Sequence, residues 1–249
     1  MARQKRVQSE TGIYHIILRG INKQQIFFEN DDFYMFLNVL SRCKTVSGFK
    51  LYAYCIMNNH IHLLMEEGEE PLSKVFKRIG DSFIYRYNTK YDRIGGIFQG
   101  RYKSIPVNND EYFISVLRYI HQNPVKAGIA NSCSEYKFSS YNDYLKENSI
   151  VNCGFALELI GINEFIRIHN EPVNGSDFNF EVFSKARVSD EEAKQIIANI
   201  TDCRSPEEFS CVSKSYQKEY VKQLRGAGLT IKQIMELTGV SQRVAQCRF

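Results

Sequence analysis

A chain of 249 residues, 43% hydrophobic and 24% charged, has ordinary globular composition and is long enough for one large domain or two small ones. No apolar run approaches the roughly 20 residues that span a bilayer, and Met1-Ala-Arg-Gln-Lys-Arg-Val7 lacks the apolar core of a signal peptide, so no membrane partner is expected and the compartment is read as cytoplasmic. The seven cysteines are odd in number and contain no C-x-x-C, which argues for reduced thiols and against a four-thiolate zinc site. The net charge of +4 is uneven: residues 1–150 carry +5 (20 basic, 15 acidic), 151–202 carry −5 (4 and 9) and 203–249 carry +4 (8 and 4). Two basic blocks around an acidic one suit two modules facing nucleic acid, although ordinary solvated surface has the same look.

In chain order, Ile13-Tyr-His-Ile-Ile-Leu18 reads as a strand ended by Arg19-Gly20. Asn30-Asp31-Asp32 supplies a cap and acidic first turn for a helix to about Ser47, closed by Gly48. Lys50 to Met57 is a second strand, Asn58-Asn59 a two-residue turn, and His60 to Glu66 a third strand antiparallel to the second. Pro71 opens a helix to about Lys90. Phe98 to Val107 is a fourth strand, and Asp110 starts a helix expected to stop near Asn123 because Pro124 follows. The order β-α-β-β-α-β-α is that of a ferredoxin-like, split β-α-β plan: an α+β fold with an antiparallel sheet and helices on one face. The third strand then lies inside the sheet.

That strand carries His60-Ile61-His62. Residues two apart on a strand share a face, so the two imidazoles stand side by side with Ile61 turned away. Such a pair is a ready divalent-metal site, and a bare H-x-H is equally well two polar residues on a half-solvated strand. In the last helix, Tyr119 and Asn123 are four apart and so share a face. If that face meets the histidine strand, His60, His62 and Asn123 make three ligands with open positions. That set suits Mg²⁺ or Mn²⁺ at a phosphate, with a phenol in reach as nucleophile. Taken singly, Tyr119 is equally a half-buried helix tyrosine and Asn123 a helix C-terminal residue before proline.

Five stretches in this order resemble one family: Tyr14-His-Ile-Ile-Leu-Arg-Gly20, Met57-Asn-Asn-His-Ile-His-Leu63, Gly96-Ile-Phe-Gln-Gly-Arg-Tyr-Lys103, Arg118-Tyr-Ile-His-Gln-Asn-Pro-Val-Lys-Ala-Gly128 and Ser139-Ser-Tyr-Asn-Asp-Tyr144. Over about residues 11–145 the chain resembles the REP-associated tyrosine transposases, relatives of insertion-sequence transposases within the single-tyrosine HUH endonuclease superfamily. The resemblance implies that His60, His62 and Asn123 bind the metal and that Tyr119 is the nucleophile. It implies strand transfer on single-stranded or hairpin-repeat DNA through a 5′-phosphotyrosine, without ATP. His15 matches a family position and stands between a structural role and a metal or phosphate contact; His121 is given no role. Two rivals are kept: an idle DNA-binding regulator derived from a transposase, and a metal phosphodiesterase that uses water.

Between Lys74 and Lys103, eight Lys/Arg interleave with seven aromatics and only two acids. Basic residues track phosphates and aromatics stack on unpaired bases, although Phe76, Phe83 and Tyr87 fall at core spacing. Arg101 and Lys103, read as fourth-strand residues, are the favoured DNA contacts, followed by Lys77, Arg78 and Arg86. Residues 1–145 are thus expected to form the nuclease domain, 146–188 a linker with short helices, and 189–249 a helical DNA-binding domain. In the last, Thr230 and Ser241 are caps around a turn at Gly239, a helix-turn-helix pattern whose contacts would be Gln242, Arg243 and Gln246. A plain helical hairpin fits the same pattern. Monomer and homodimer are both compatible with the sequence.

Overall fold

The computed structural model describes residues 7–146, 149–172 and 190–245. Chain contacts divide them into two units. Within the described residues the first comprises Val7, 13–105 and 117–172, and the second comprises 8–12, 106–116 and 190–245.

The first unit is built on four strands, β1 (Ile13–Arg19), β2 (Lys50–Met57), β3 (His60–Glu66) and β4 (Lys103–Pro106), in the order β2-β3-β1-β4. β3 is hydrogen-bonded antiparallel to both β2 and β1 and is therefore central. With α1 (Asn30–Ser47) after β1, α2 (Leu72–Tyr91) after β3 and α3 (Asp110–Lys126) after β4, this is the α+β plan read from the sequence. A further helix, α4 (Gly154–Asn170), breaks into two short pieces at Gly161 and belongs to this first unit.

Local chemistry sets the boundaries. α1 is capped by Glu29 rather than Asn30: Glu29 and Asp32 form a capping box, and the fully buried Asp32 carboxylate accepts from the Phe28 and Glu29 amides. Gly48, at φ +65, closes the helix in the left-handed region where glycine carries no Cβ penalty. β4 is shorter than the expected 98–107. Phe98 makes a single bridge to Gly20, and Gly100 at φ +65 turns the chain away from the ladder. Arg101 consequently lies in a loop and not on a strand. α3 does not stop at Asn123. Pro124 lacks an N–H, but its fixed φ is helical, and Ala127 continues the bonding by donating to the Asn123 carbonyl before Gly128 (φ +68) ends the helix, with Ile129 beyond it donating back to the Pro124 carbonyl.

Strand residues pointing one way, Ile16, Leu18, Ile61 and Leu63, are buried, as are Phe27, Phe36 and Phe83. Phe83 and Phe36 meet edge to face at 5.3 Å, which ties α2 to α1. Each such ring contributes about 1.5–3 kcal/mol by leaving water. The second unit has its own core of Ile197, Val221, Leu224, Leu229, Ile231 and Ile234. It is built from α5 (Asp190–Thr201), α6 (Pro206–Ser210), α7 (Lys214–Gly226), α8 (Ile231–Thr238) and α9 (Gln242–Ala245). Thr230 caps α8 in a capping box with Gln233, and Gly239 at φ +72 closes it. An ion pair of 2.6 Å joins Arg225 on α7 to Asp110 at the start of α3, both side chains largely buried.

Candidate active site

The antiparallel register decides what shares a face with the two imidazoles. Arg19 lies opposite His60 and Ile17 opposite His62 on β1, while Met57 and Cys55 lie opposite them on β2. His15, two residues before Ile17, points the same way. Its Nε2 lies 2.9 Å from His62 Nδ1, and the two rings stack with centroids 5.2 Å apart. The His60 and His62 rings stand 4.9 Å apart, nearly perpendicular. α3 sets Tyr119 against this group: its ring is 5.5 Å from His62 and 5.8 Å from His15. Asn123, one turn further along, donates Nδ2 to the Tyr119 carbonyl at 2.8 Å, which leaves Oδ1 as its remaining oxygen acceptor.

Burial controls the electrostatics. It lowers the His60 pKa to about 4, helped by the Arg19 charge. Burial likewise drives His62 well below its ordinary value, with His15, His60 and Arg19 adding to the effect. Burial, with the Lys103 charge second, lowers His15 to about 3. All three rings are therefore neutral at pH 7. The Tyr119 phenol is raised by burial and pulled back by the Asn123 side chain and by Arg19.

A divalent cation fits this donor set. His60 Nδ1 lies 2.6 Å from Asn59 Oδ1, an acceptor, so the ring carries its proton on Nδ1 and its lone pair on Nε2. His62 Nδ1 is likewise occupied by His15, which leaves Nε2 for an ion. A neighbour that fixes the tautomer in this way is the usual support of a metal-binding imidazole. Among the described residues no three His, Cys, Asp or Glu side chains form a metal cage, so the oxygen of Asn123 would have to be the third protein ligand.

Residues 8–123 match the family model described as transposase IS200 like. A putative REP-associated tyrosine transposase of Haemophilus influenzae is 31% identical over 110 residues, 39% of this chain and 62% of that protein. The chain thus spans somewhat less than two thirds of that relative. A REP-associated tyrosine transposase of Escherichia coli is 22% identical over 138 residues, 55% of this chain and 79% of that protein. A solved REP-associated tyrosine transposase bound to a REP hairpin superposes with a TM-score of 0.52 at 19% identity, covering 60% of this chain and 90% of that one, which shows a shared fold.

Within the matched residues and their flank, the sequence-derived DNA contacts fall in different places. Lys103 is exposed on β4, and its charge reaches the imidazole face through His15. Arg78 is committed to the protein: it holds Glu70 with two hydrogen bonds, of 2.6 and 3.0 Å, and also donates to Ser47. Lys77 pairs loosely with Asp81 at 3.4 Å, and Arg86 is exposed on α2. In the second unit Gln242 and Arg243 are exposed, while Gln246 lies outside the described residues. Three further residues stand at the imidazole site: Arg19 and Lys126 carry no assigned role in the sequence, and His15 stands there between a structural role and a metal or phosphate contact. Arg19 faces His60 across β1. Lys126 sets its ammonium 5.9 Å from the centre of the Tyr119 ring. His15 is the third, and the alternation His15, Ile17, Arg19 was the available signal for two of them. His121, on the other side of α3, bonds His169 of α4 (2.9 Å) and Ser140 (2.8 Å), and Ser140 in turn bonds the Tyr54 backbone of β2. Thus the helix that carries Tyr119 is held from behind by a buried polar network.

Proposed function

We propose that this protein is a single-strand DNA transesterase that cuts and rejoins hairpin-repeat DNA through a Tyr119 adduct. The observation that carries the reading is the 5.5 Å approach of the Tyr119 ring to His62, itself one of two neutral imidazoles on a central strand. Tyr119 Oη attacks phosphorus and the bond to the 3′ oxygen breaks, giving a 5′-phosphotyrosine. The phenol proton is lost and the departing oxygen gains one, leaving a 3′-hydroxyl. A second 3′-hydroxyl reverses the step, and the ester bond conserves the energy.

His60, His62 and Asn123 would hold Mg²⁺ or Mn²⁺. That ion, when bound, supplies positive charge to the non-bridging oxygens of the scissile phosphate. Arg19 favours the phenolate, and Arg19 and Lys126, the latter 5.9 Å from the Tyr119 ring centre, would supply cations to a phosphate chain. Lys103, Arg101, Lys77 and Arg86 supply further backbone contacts. In the second unit, α8, the Gly239 turn and α9 are read as a helix-turn-helix that places Gln242 and Arg243 on a duplex stem. The hairpin bound by the solved fold relative supports this class of substrate.

Incubation with labelled hairpin DNA and Mn²⁺ should give a slow-migrating covalent adduct. Tyr119→Phe should abolish it while hairpin affinity stays nearly intact. An adduct formed by the phenylalanine variant removes Tyr119 from the chemistry.

A further inference from the structure

Away from the imidazoles, a cavity of about 460 Å³ opens beside the end of β1. Its wall includes Leu18, which points to the sheet face opposite Arg19 and His60, and Ile79 of α2 and Phe98 of the following loop. The Phe76 and Tyr102 rings also line it, centroids 4.2 Å apart. Lys77 and Arg101 are the cations among its lining residues and Asp81 the acid, paired with Lys77 at 3.4 Å through mostly exposed side chains. Such a pair is weak enough for a phosphate to displace. The volume lies within the roughly 300–1,000 Å³ of small-ligand sites.

Two glycines distinguish this cavity from a packing defect. Gly80 sits in the middle of α2, where glycine costs about 1 kcal/mol relative to alanine. It needs no left-handed backbone, and an added Cβ would meet nothing within 4 Å. Gly96, on the facing loop, is the same on both counts. Neither backbone geometry nor crowding accounts for a missing side chain at these two positions, yet both line the one cavity. Their common effect is to keep it open, with aromatic rings at its side and positive charge among its lining residues. A flat aromatic ligand bearing negative charge complements that arrangement.

We propose that this cavity receives one unpaired nucleobase of the bound DNA, stacked on Phe76 and Tyr102, with its phosphates held by Lys77 and Arg101. The assignment rests on the strand-transfer reading above for its ligand class. The cavity and the imidazole pair stand at the same end of β1 and β3, on opposite sheet faces, so a single strand passing over that end reaches both. The base would thus fix the position of the unpaired flank relative to the scissile phosphate.

The test uses the full chain without metal, hairpin oligonucleotides with single-stranded flanks, and one abasic site placed at each flank position in turn. Fluorescence anisotropy reads affinity for wild type and for Gly80→Leu, whose added side chain fills the cavity while improving helix propensity. One abasic position is expected to weaken wild-type binding by roughly 5- to 150-fold, the equivalent of about 1–3 kcal/mol of base stacking. Gly80→Leu should bind the intact and abasic forms alike, both at the weaker level. In wild type, 2-aminopurine at that same position should lose fluorescence on binding, a readout that needs no variant. Absence of any such position, an abasic loss undiminished in Gly80→Leu, or unquenched 2-aminopurine overturns the proposal. If the base-specific loss is present but Tyr119 never forms an adduct, the cavity assignment stands and the transesterase reading fails. Adduct formation without any position-specific loss has the reverse meaning.

Discussion

Replacing His15 by leucine tests the link between β1 and the metal site proposed on the imidazole face. The side chain is fully buried, and its Nε2 occupies His62 Nδ1 at 2.9 Å. Leucine fills much the same volume but leaves the His62 Nδ1–H buried without its acceptor, which costs about 1–3 kcal/mol. For a chain of this size that lowers the melting temperature by roughly 2–12 °C. A second effect is specific to metal binding. Without its partner, His62 is no longer held with its proton on Nδ1, and loss of such an outer support weakens metal affinity by about 10–100-fold. Urea unfolding of the metal-free protein measures the first effect, and titration calorimetry with Mn²⁺, run well below the melting temperature, measures the second. His15→Gln, whose side-chain oxygen accepts a hydrogen bond, should recover part of both. If His15→Leu retains wild-type Mn²⁺ affinity, the imidazole contact is packing alone and the tautomer argument is refuted.

Acid should loosen the network behind α3. Burial holds His169 neutral down to about 4 and drives His121 well below its ordinary value, whereas both take up protons below about 6.5 once unfolded. Their contribution is therefore present above pH 6.5 and lost as the pH falls toward 4, at up to roughly 3 kcal/mol per pH unit for the two together. Urea unfolding at neutral pH and near pH 5 should show this share on top of that from His15, His60 and His62, which burial lowers in the same way, and His169→Phe should reduce the total by about 1.4 kcal/mol per pH unit. In the second unit, Asp110→Ala removes the 2.6 Å carboxylate partner of the buried Arg225 charge and should cost about 3–5 kcal/mol. Arg225→Met takes that cation from the largely buried Asp110 carboxylate and should cost a similar amount; losses below about 1 kcal/mol from both changes, seen by denaturant unfolding, would contradict a desolvated pair.

The sheet was legible because its signals are local. His60, Ile61 and His62 alternate, Asn58-Asn59 turns the chain, and Gly48 and Pro71 punctuate the helices around them. The placement of Tyr119 one turn before Asn123 follows from helical spacing alone. What the sequence did not disclose depends on pairing between distant segments. The His15–His62 contact joins residues 47 apart and exists only in the β1–β3 register. Arg101 looked like a strand residue because its neighbours are aromatic and basic, and only the left-handed Gly100 shows why the ladder fails there. Proline at 124 was read as a stop, yet its missing donor falls near a helix end where the following amides carry the bonding on. Likewise His121 had no visible partner until α4 brought His169 to it.

The central position of β3 ties the fate of the chemistry to that of the core. Ladders on both sides pin this strand, and a slip of one residue would turn Ile61 and Leu63 toward Tyr119 of α3 just as it placed the imidazoles among phenylalanines. Misthreading of the hairpin therefore cannot yield a folded but inert protein. Inactive descendants of this chain must arise by exchange of individual side chains, and they would keep the same architecture.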